Sequence, residues 1–221
     1  MMIFIKRGII INLILFLVVA CTSNNSATFY LLKPIPSSNL KFTQNNAAID
    51  KITVLVKLVN FPEYLDQPQM VIRENDYKLQ INEDHRWAEP IVNDFTRVFV
   101  KNLDSRIAPN DARVYSRLDG VKPDYQLSIE VFQMDVNMDD EAVLKTEWSL
   151  STGKKAKWVT RRSSEYKVTI KDNSFESGVE AQSKAIGLLA DQIAEYLQTL
   201  QKPSTTKNYS PTHFLDNNIP R

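Results

Sequence analysis

The chain has 221 residues, 43% hydrophobic and 24% charged, and its 27 Lys and Arg nearly balance 26 Asp and Glu for a net charge of +1. So even a balance excludes partners that need a strong basic or acidic field, nucleic acid first among them. Five glycines and the absence of GxGxxG or P-loop spacing leave little from which to build a phosphate-cradling loop.

The first residues are organised like an export signal. Lys6 and Arg7 precede an apolar run from Ile9 to Val19, broken only by Asn12, and the polar residues Thr22 to Ser26 follow Cys21. The run falls short of the ~20 residues a transmembrane helix requires. Val18-Val19-Ala20-Cys21 resembles the bacterial lipobox, in which the cysteine is acylated and becomes the mature N-terminus. As the only cysteine it cannot form an intrachain disulfide, so lipid attachment on Cys21 is its expected role. Acyl chains contribute roughly 0.8 kcal/mol per buried methylene, enough for firm anchoring when two or three are present. Thr22 is not the aspartate associated with inner-membrane retention, so the outer membrane is the expected destination. Residues 1–20 are thus read as signal peptide and 21–27 as a lipidated tether.

The remaining ~200 residues suit one domain that buries ~70% of its unfolded surface without metal or disulfide. Phe29 to Leu32 predicts a short strand stopped by Pro34 and Pro36, and residues 37–48 a polar loop. The β-branched run at Ile52, Val54 and Val56 predicts a buried central strand. Pro62 and Pro68 bracket a restricted connection, after which Gln69–Glu74 and Tyr77–Ile81 read as strands joined by a turn at Asn75-Asp76. A helix is expected to start near His85–Trp87, capped by Asp84, with Pro90 tolerated in its first turn. Its apolar stripe would be Ile91, Phe95, Val98, Phe99 and Leu103, with Arg97, Lys101 and Asn102 off that stripe.

Arg113–Tyr115 predicts an edge strand, and Asp119-Gly120 a turn. Tyr125, Leu127, Ile129 and Val131 alternate with polar residues, which is the pattern of a half-buried strand. Two further strands are expected at Ala142–Ser151 and Lys157–Ile170, turning at Gly153. A second helix, capped by Ser174 or Ser177, would bury Ala181, Ala185, Leu188, Leu189, Ile193, Tyr196 and Leu200. The order of elements predicts one layered α+β domain over residues 28–202, a mixed and mostly antiparallel sheet packed by two amphipathic helices. Residues 203–221 are polar with Pro211 and Pro220, and are expected to be a disordered tail.

Catalysis finds little support. His85 and His213 are the only histidines, and neither HExxH, GxSxG nor a Cys-His pairing is present. No cofactor is expected beyond the covalent lipid on Cys21. Tyr64, Leu65 and Asp66, on the proline-restricted connection, together with Arg73 and Trp87, are candidate partner-binding residues. The plainer reading is that Tyr64 and Leu65 cover the sheet and Trp87 packs at the helix entrance. Lys154, Lys155, Lys157, Arg161 and Arg162 make a basic hairpin around Trp158. In an exported protein such a mixture would suit anionic lipid or an acidic partner, but its ordinary role would be a solvated edge, with the acidic stretch Asp135–Glu141 facing it across the meander.

Several segments together resemble a known family. Phe29-Tyr30-Leu31-Leu32 after the lipobox, Phe61-Pro62-Glu63-Tyr64-Leu65-Asp66-Gln67-Pro68-Gln69-Met70-Val71, and Arg86-Trp87-Ala88-Glu89-Pro90-Ile91 are similar to the PqiC (YmbA) family of ABC-type transport auxiliary lipoproteins. The resemblance implies a periplasm-facing outer-membrane lipoprotein that works with an MCE-domain protein in trans-envelope lipid transport and supports membrane integrity. It also implies that a homo-oligomeric ring is accessible to the chain. The rival expectation is an envelope lipoprotein that scaffolds or activates another machine, such as cell-wall synthesis.

Overall fold

The computed structural model describes residues 26–36, 52–108, 112–116, 120, 122–153 and 156–200. The signal peptide, Cys21, most of the tether, the 37–48 loop, Lys154, Lys155 and the tail with His213 lie outside the described residues. Eight strands and two long helices follow in order: β1 (Thr28–Tyr30), β2 (Thr53–Asn60), β3 (Gln69–Asn75), β4 (Lys78–Trp87), α1 (Ile91–Ile107), β5 (Arg113–Tyr115), β6 (Tyr125–Val136), β7 (Glu141–Thr152), β8 (Trp158–Thr169) and α2 (Phe175–Gln198). The fold is the expected α+β class, with a mixed, mostly antiparallel sheet and two helices.

Strand β6 is the spine of the sheet. On one side it pairs along its whole length with β7, from Tyr125 opposite Thr152 to Val136 opposite Ala142, and β7 pairs in turn with β8. Its other side is shared. The first half, Tyr125 to Glu130, takes β2 in parallel, while Val136 at the far end takes Ile72 of β3. The sheet therefore forks, with β2 and β5 on one branch and β3, β4 and β1 on the other. Alternation dictates the layers, because successive strand residues face opposite sides. Tyr125, Leu127, Ile129 and Val131 of β6, and Leu144, Trp148 and Leu150 of β7, are buried on one face. Both helices cover that face. Phe95, Val98, Phe99, Leu103 and Ile107 of α1 and Ala185, Ile186, Leu189, Ile193 and Leu197 of α2 complete the core. Each large side chain removed from water contributes about 1.5–3 kcal/mol.

The expected helix start at His85–Trp87 is corrected by the structure: these residues close β4. Phe29 and Gln69 both stand opposite Arg86, and the Trp87 amide donates to the Pro68 carbonyl at 2.7 Å. Those partners are remote in sequence, so the strand is invisible locally. Pro90 holds the N-cap position with no side-chain cap, and Asp84 plays no capping part. Proline drives its predecessor toward extended backbone, which places the strand-to-helix change at this point. In α2 the Ser174 hydroxyl does accept the Ser177 amide, as expected of a cap. Leu188, expected in the core, is 43% exposed, and Leu197 lies on the buried stripe. The acidic stretch also differs from expectation. Asp135 and Glu141 occupy the opposite end of the β6–β7 hairpin from Trp158, and Glu141 bonds Lys167 instead.

Asn102, expected off the apolar stripe of α1, is buried together with Asp94 and Arg106. The segment after β1 explains this, since it lies across the helices with no strand to bond it. The Leu32 amide donates to Asp94 Oδ2 at 2.8 Å, the Lys33 amide to Ser183 Oγ at 3.1 Å, and the Ile35 amide to Asn102 Oδ1 at 2.8 Å. Arg106 Nη1 donates to the Ile35 and Asn102 carbonyls, and its Nε pairs with Asp191 of α2. Pro34 has no amide to satisfy.

Gly153, at the β7–β8 turn, leaves no room for a side chain: a Cβ would lie 1.8 Å from the Pro123 carbonyl oxygen. Gly120 has open space but a φ of +77°. We expect Gly153→Ala to cost about 3 kcal/mol and Gly120→Ala about 1 kcal/mol in urea unfolding. Equal midpoints for the two variants would contradict this packing.

Candidate docking surfaces

The proline-restricted connection forms one turn of 3-10 helix at Glu63–Leu65. Its short period turns Leu65 inward, where it is 5% exposed and joins the core, and leaves Tyr64 half-buried against that core. Asp66 caps the turn through its backbone amide and is exposed. Trp87 is 7% exposed and packs within the core. Of the five candidate residues, Leu65 and Trp87 are thus core groups, Asp66 is free to meet solvent, and Tyr64 and Arg73 converge on Asp135, which the sequence suggested only as the start of an acidic stretch.

Asp135 is buried on β6 and collects the polar groups around it. Arg73 Nε lies 3.1 and 3.0 Å from the two carboxylate oxygens, and Nη2 lies 2.8 Å from Oδ2. Tyr64 OH donates at 3.3 Å and Gln133 Nε2 at 2.8 Å. A guanidinium fork suits this planar, two-point contact. Burial, and then the negative charge of Asp135, push the Tyr64 hydroxyl up to about 12. The hydrogen bond with Asp135 raises Arg73 above its ordinary value. An aspartate between Met134 and Val136 in an apolar strand was a signal available in the sequence. Its partner, Arg73, is fixed only by the fork of the sheet.

A second feature borders β1. Phe29 and Leu31, 62% and 46% exposed, line a groove of about 620 Å³ with Ile35 and with Val179 of α2, rimmed by Lys33 and Glu176. His85 stands on β4 opposite Thr28. Its ring stacks on Phe175 at 3.6 Å and 5°, and its Nδ1 is 2.7 Å from Tyr30 OH. That histidine is a packing element between β1, β4 and α2. The basic hairpin forms a third surface, where Trp158 is 68% exposed. Among the described residues, no group of three or more His, Cys, Asp or Glu is arranged to hold a metal ion.

Two measurements check the Asp135 cluster. Arg73→Ala leaves a buried carboxylate short of its cation and should cost about 3 kcal/mol in urea unfolding. Asp135→Ala should cost less, because Arg73 reaches solvent. The reverse order would refute the arrangement. The folded Tyr64 hydroxyl ionises above the unfolded value of 10.0, so its contribution to stability is intact below pH 10 and is lost as pH rises toward about 12. Among the described tyrosines, Tyr64 and Tyr166 should give tyrosinate absorbance last, and Tyr64→Phe should flatten the alkaline loss of stability.

The family model for ABC-type transport auxiliary lipoprotein components matches residues 30–194. No curated protein sequence matches the chain. Among solved structures, an uncharacterised protein is similar with a TM-score of 0.65 and 19% identity, over 78% of this chain and 99% of that one. A Xanthomonas campestris protein is similar with a TM-score of 0.62 and 15% identity, over 77% and 95% of the two chains. At such identities these two show a shared fold. The family match spans the sheet from β1 through most of α2, so the chain belongs to the family of ABC-type transport auxiliary lipoprotein components.

Proposed function

We propose that this protein is a non-enzymatic outer-membrane lipoprotein that docks an MCE-domain protein of a trans-envelope lipid transport system and so supports membrane integrity. The observation that carries the reading is the strap from Leu32 to Ile35. It begins eleven residues after Cys21 and is bonded by buried side chains of both helices. An anchor on Cys21 would thereby be tied to the core itself rather than to a loosely attached terminus. Membership of a transporter auxiliary family supports a protein partner within the transporter. Asp66 offers the exposed polar contact beside the Asp135 cluster, and Tyr64 and Arg73 would contribute through the part of each that remains accessible. Association of several copies into a ring is compatible with three sheet edges, at β1, β5 and β8, that pair on one side only among the described residues.

The test is a pull-down of the acylated protein from its native envelope in gentle detergent. Recovery of an MCE-domain protein supports the proposal. Recovery of a cell-wall synthase instead, or of no transporter component in several detergents, overturns it. Cys21→Ala should shift the protein from the membrane to the soluble fraction, and continued tight membrane attachment would refute lipid anchoring at this residue.

A further inference from the structure

The two ends of the domain differ in chemistry. Strand β1 runs parallel to β4, with Thr28 opposite His85, and His85 stacks on Phe175 at the start of α2. The chain from Cys21 therefore enters at this end. The β7–β8 turn lies at the other end, beside the start of β6 and the last turns of α2, where Tyr196 meets Trp148. The 24 residues of α2 separate the ends by about 36 Å at 1.5 Å per residue.

A defect in β8 builds a surface at that distal end. Leu150 stands opposite Thr160, but Ser151 stands opposite Trp158, so Val159 is an extra residue in the strand. Ser149, one residue before Leu150, stands opposite Arg161. Ser149 and Ser151 share the outer face of β7, and the bulge therefore turns both Trp158 and Arg161 to that face. Residues three apart in an unbroken strand would point to opposite sides. Between them lies a shallow notch of about 330 Å³ lined by Trp158, Val159, Thr160 and Arg161.

Charge divides the strand in two. In its second half, Glu165 pairs with Lys145 and Lys167 with Glu141, so opposite charges cancel. At its start Arg161 is likewise bonded to Glu147, at 2.6 Å, but the exposed Lys157 just before the strand and Arg162 over the Tyr196 ring leave this end with an excess of positive charge. Among the described residues β8 pairs with β7 alone, leaving its outer edge open. An exposed tryptophan beside an arginine is the composition of an interface anchor. An open strand edge accepts an extended peptide by main-chain bonding.

We propose that the edge of β8 at Lys157, Trp158 and Arg161 binds an extended acidic segment of the protein partner, which adds as a strand and covers Trp158. The orientation rests on the anchored-lipoprotein reading, because an anchor at Cys21 turns this end away from its own membrane. That geometry favours an acidic protein segment over anionic lipid.

The acylated full-length protein in phosphatidylcholine nanodiscs provides the test. Trp87 and Trp148 are buried and Trp158 is exposed, so acrylamide quenching of tryptophan fluorescence reports mainly on this site. The probe is a peptide alternating Glu with Val, and the control alternates Lys with Val. The Glu peptide should blue-shift the emission and shield Trp158, more weakly in high salt. Arg161→Glu and, independently, Lys157→Glu should each weaken it about tenfold with the circular dichroism unchanged. No shielding by the Glu peptide, or equal shielding by the Lys peptide, overturns the proposal. Shielding by phosphatidylglycerol nanodiscs without shielding by the Glu peptide overturns it in favour of a membrane contact. Retention of the Cys21→Ala variant on membranes would remove the anchor reading while leaving peptide binding at Trp158 to be decided by this titration.

Discussion

An extended segment that crosses two helices has no ladder to bond its amides, and a buried amide without a partner costs as much as a lost hydrogen bond. Leu32, Lys33 and Ile35 are in that position, and the structure supplies Asp94, Ser183 and Asn102 to receive them. Much else depends on this constraint. It places polar residues on the inner face of α1, a face otherwise made of isoleucine, phenylalanine, valine and leucine. Burial pushes the Asp94 carboxyl above its ordinary value, although the Leu32 amide and Arg97 draw it down. Arg106, also buried, bonds the strap carbonyl at Ile35 and pairs with Asp191, joining strap, α1 and α2 at one side chain. Single-sided loss within such a group leaves a charge or amide stranded, which makes the cluster a single unit.

The forked sheet is the second organising feature. Because β6 outruns β2, its last residues are open to β3, and the pairing of Ile72 with Val136 brings Arg73 beside Asp135. The β3–β4 arm then offers its far edge to β1, which delivers the chain to the strap. One long strand thus positions the Asp135 cluster, the N-terminal strand and, at its other end, the β7–β8 turn.

This arrangement gives the molecule a direction. The end where β1 enters carries Phe29, Leu31, Phe175 and the apolar groove. The opposite end carries a bulged, basic edge with an exposed tryptophan. If the chain is anchored at Cys21 as proposed, its other end is free for a protein contact. The polar outer face between them, with Lys145–Glu165 and Lys167–Glu141 pairs, is well solvated and adds little to stability.

The sequence by itself determined what depends on short-range periodicity. Alternation in β6 and β7, the helical stripes of α1 and α2, the Ser174 cap and the turn at Gly153 follow from residues a few positions apart, and the α+β class follows from their order. The restricted connection at Phe61–Pro68 was also legible. Only the tertiary structure decided which side chains satisfy distant backbone. His85–Trp87 became strand because β1 and β3 supply ladders on both sides of Arg86. Asn102 turned inward because Ile35 needed an acceptor, and Asp135 became a centre because Arg73 arrives across 62 positions. Leu188 stayed outside because α2 meets the core along a stripe running through Leu189, Ile193 and Leu197. Local pattern reports which residues prefer burial, whereas pairing between remote segments sets which polar groups must follow them inward.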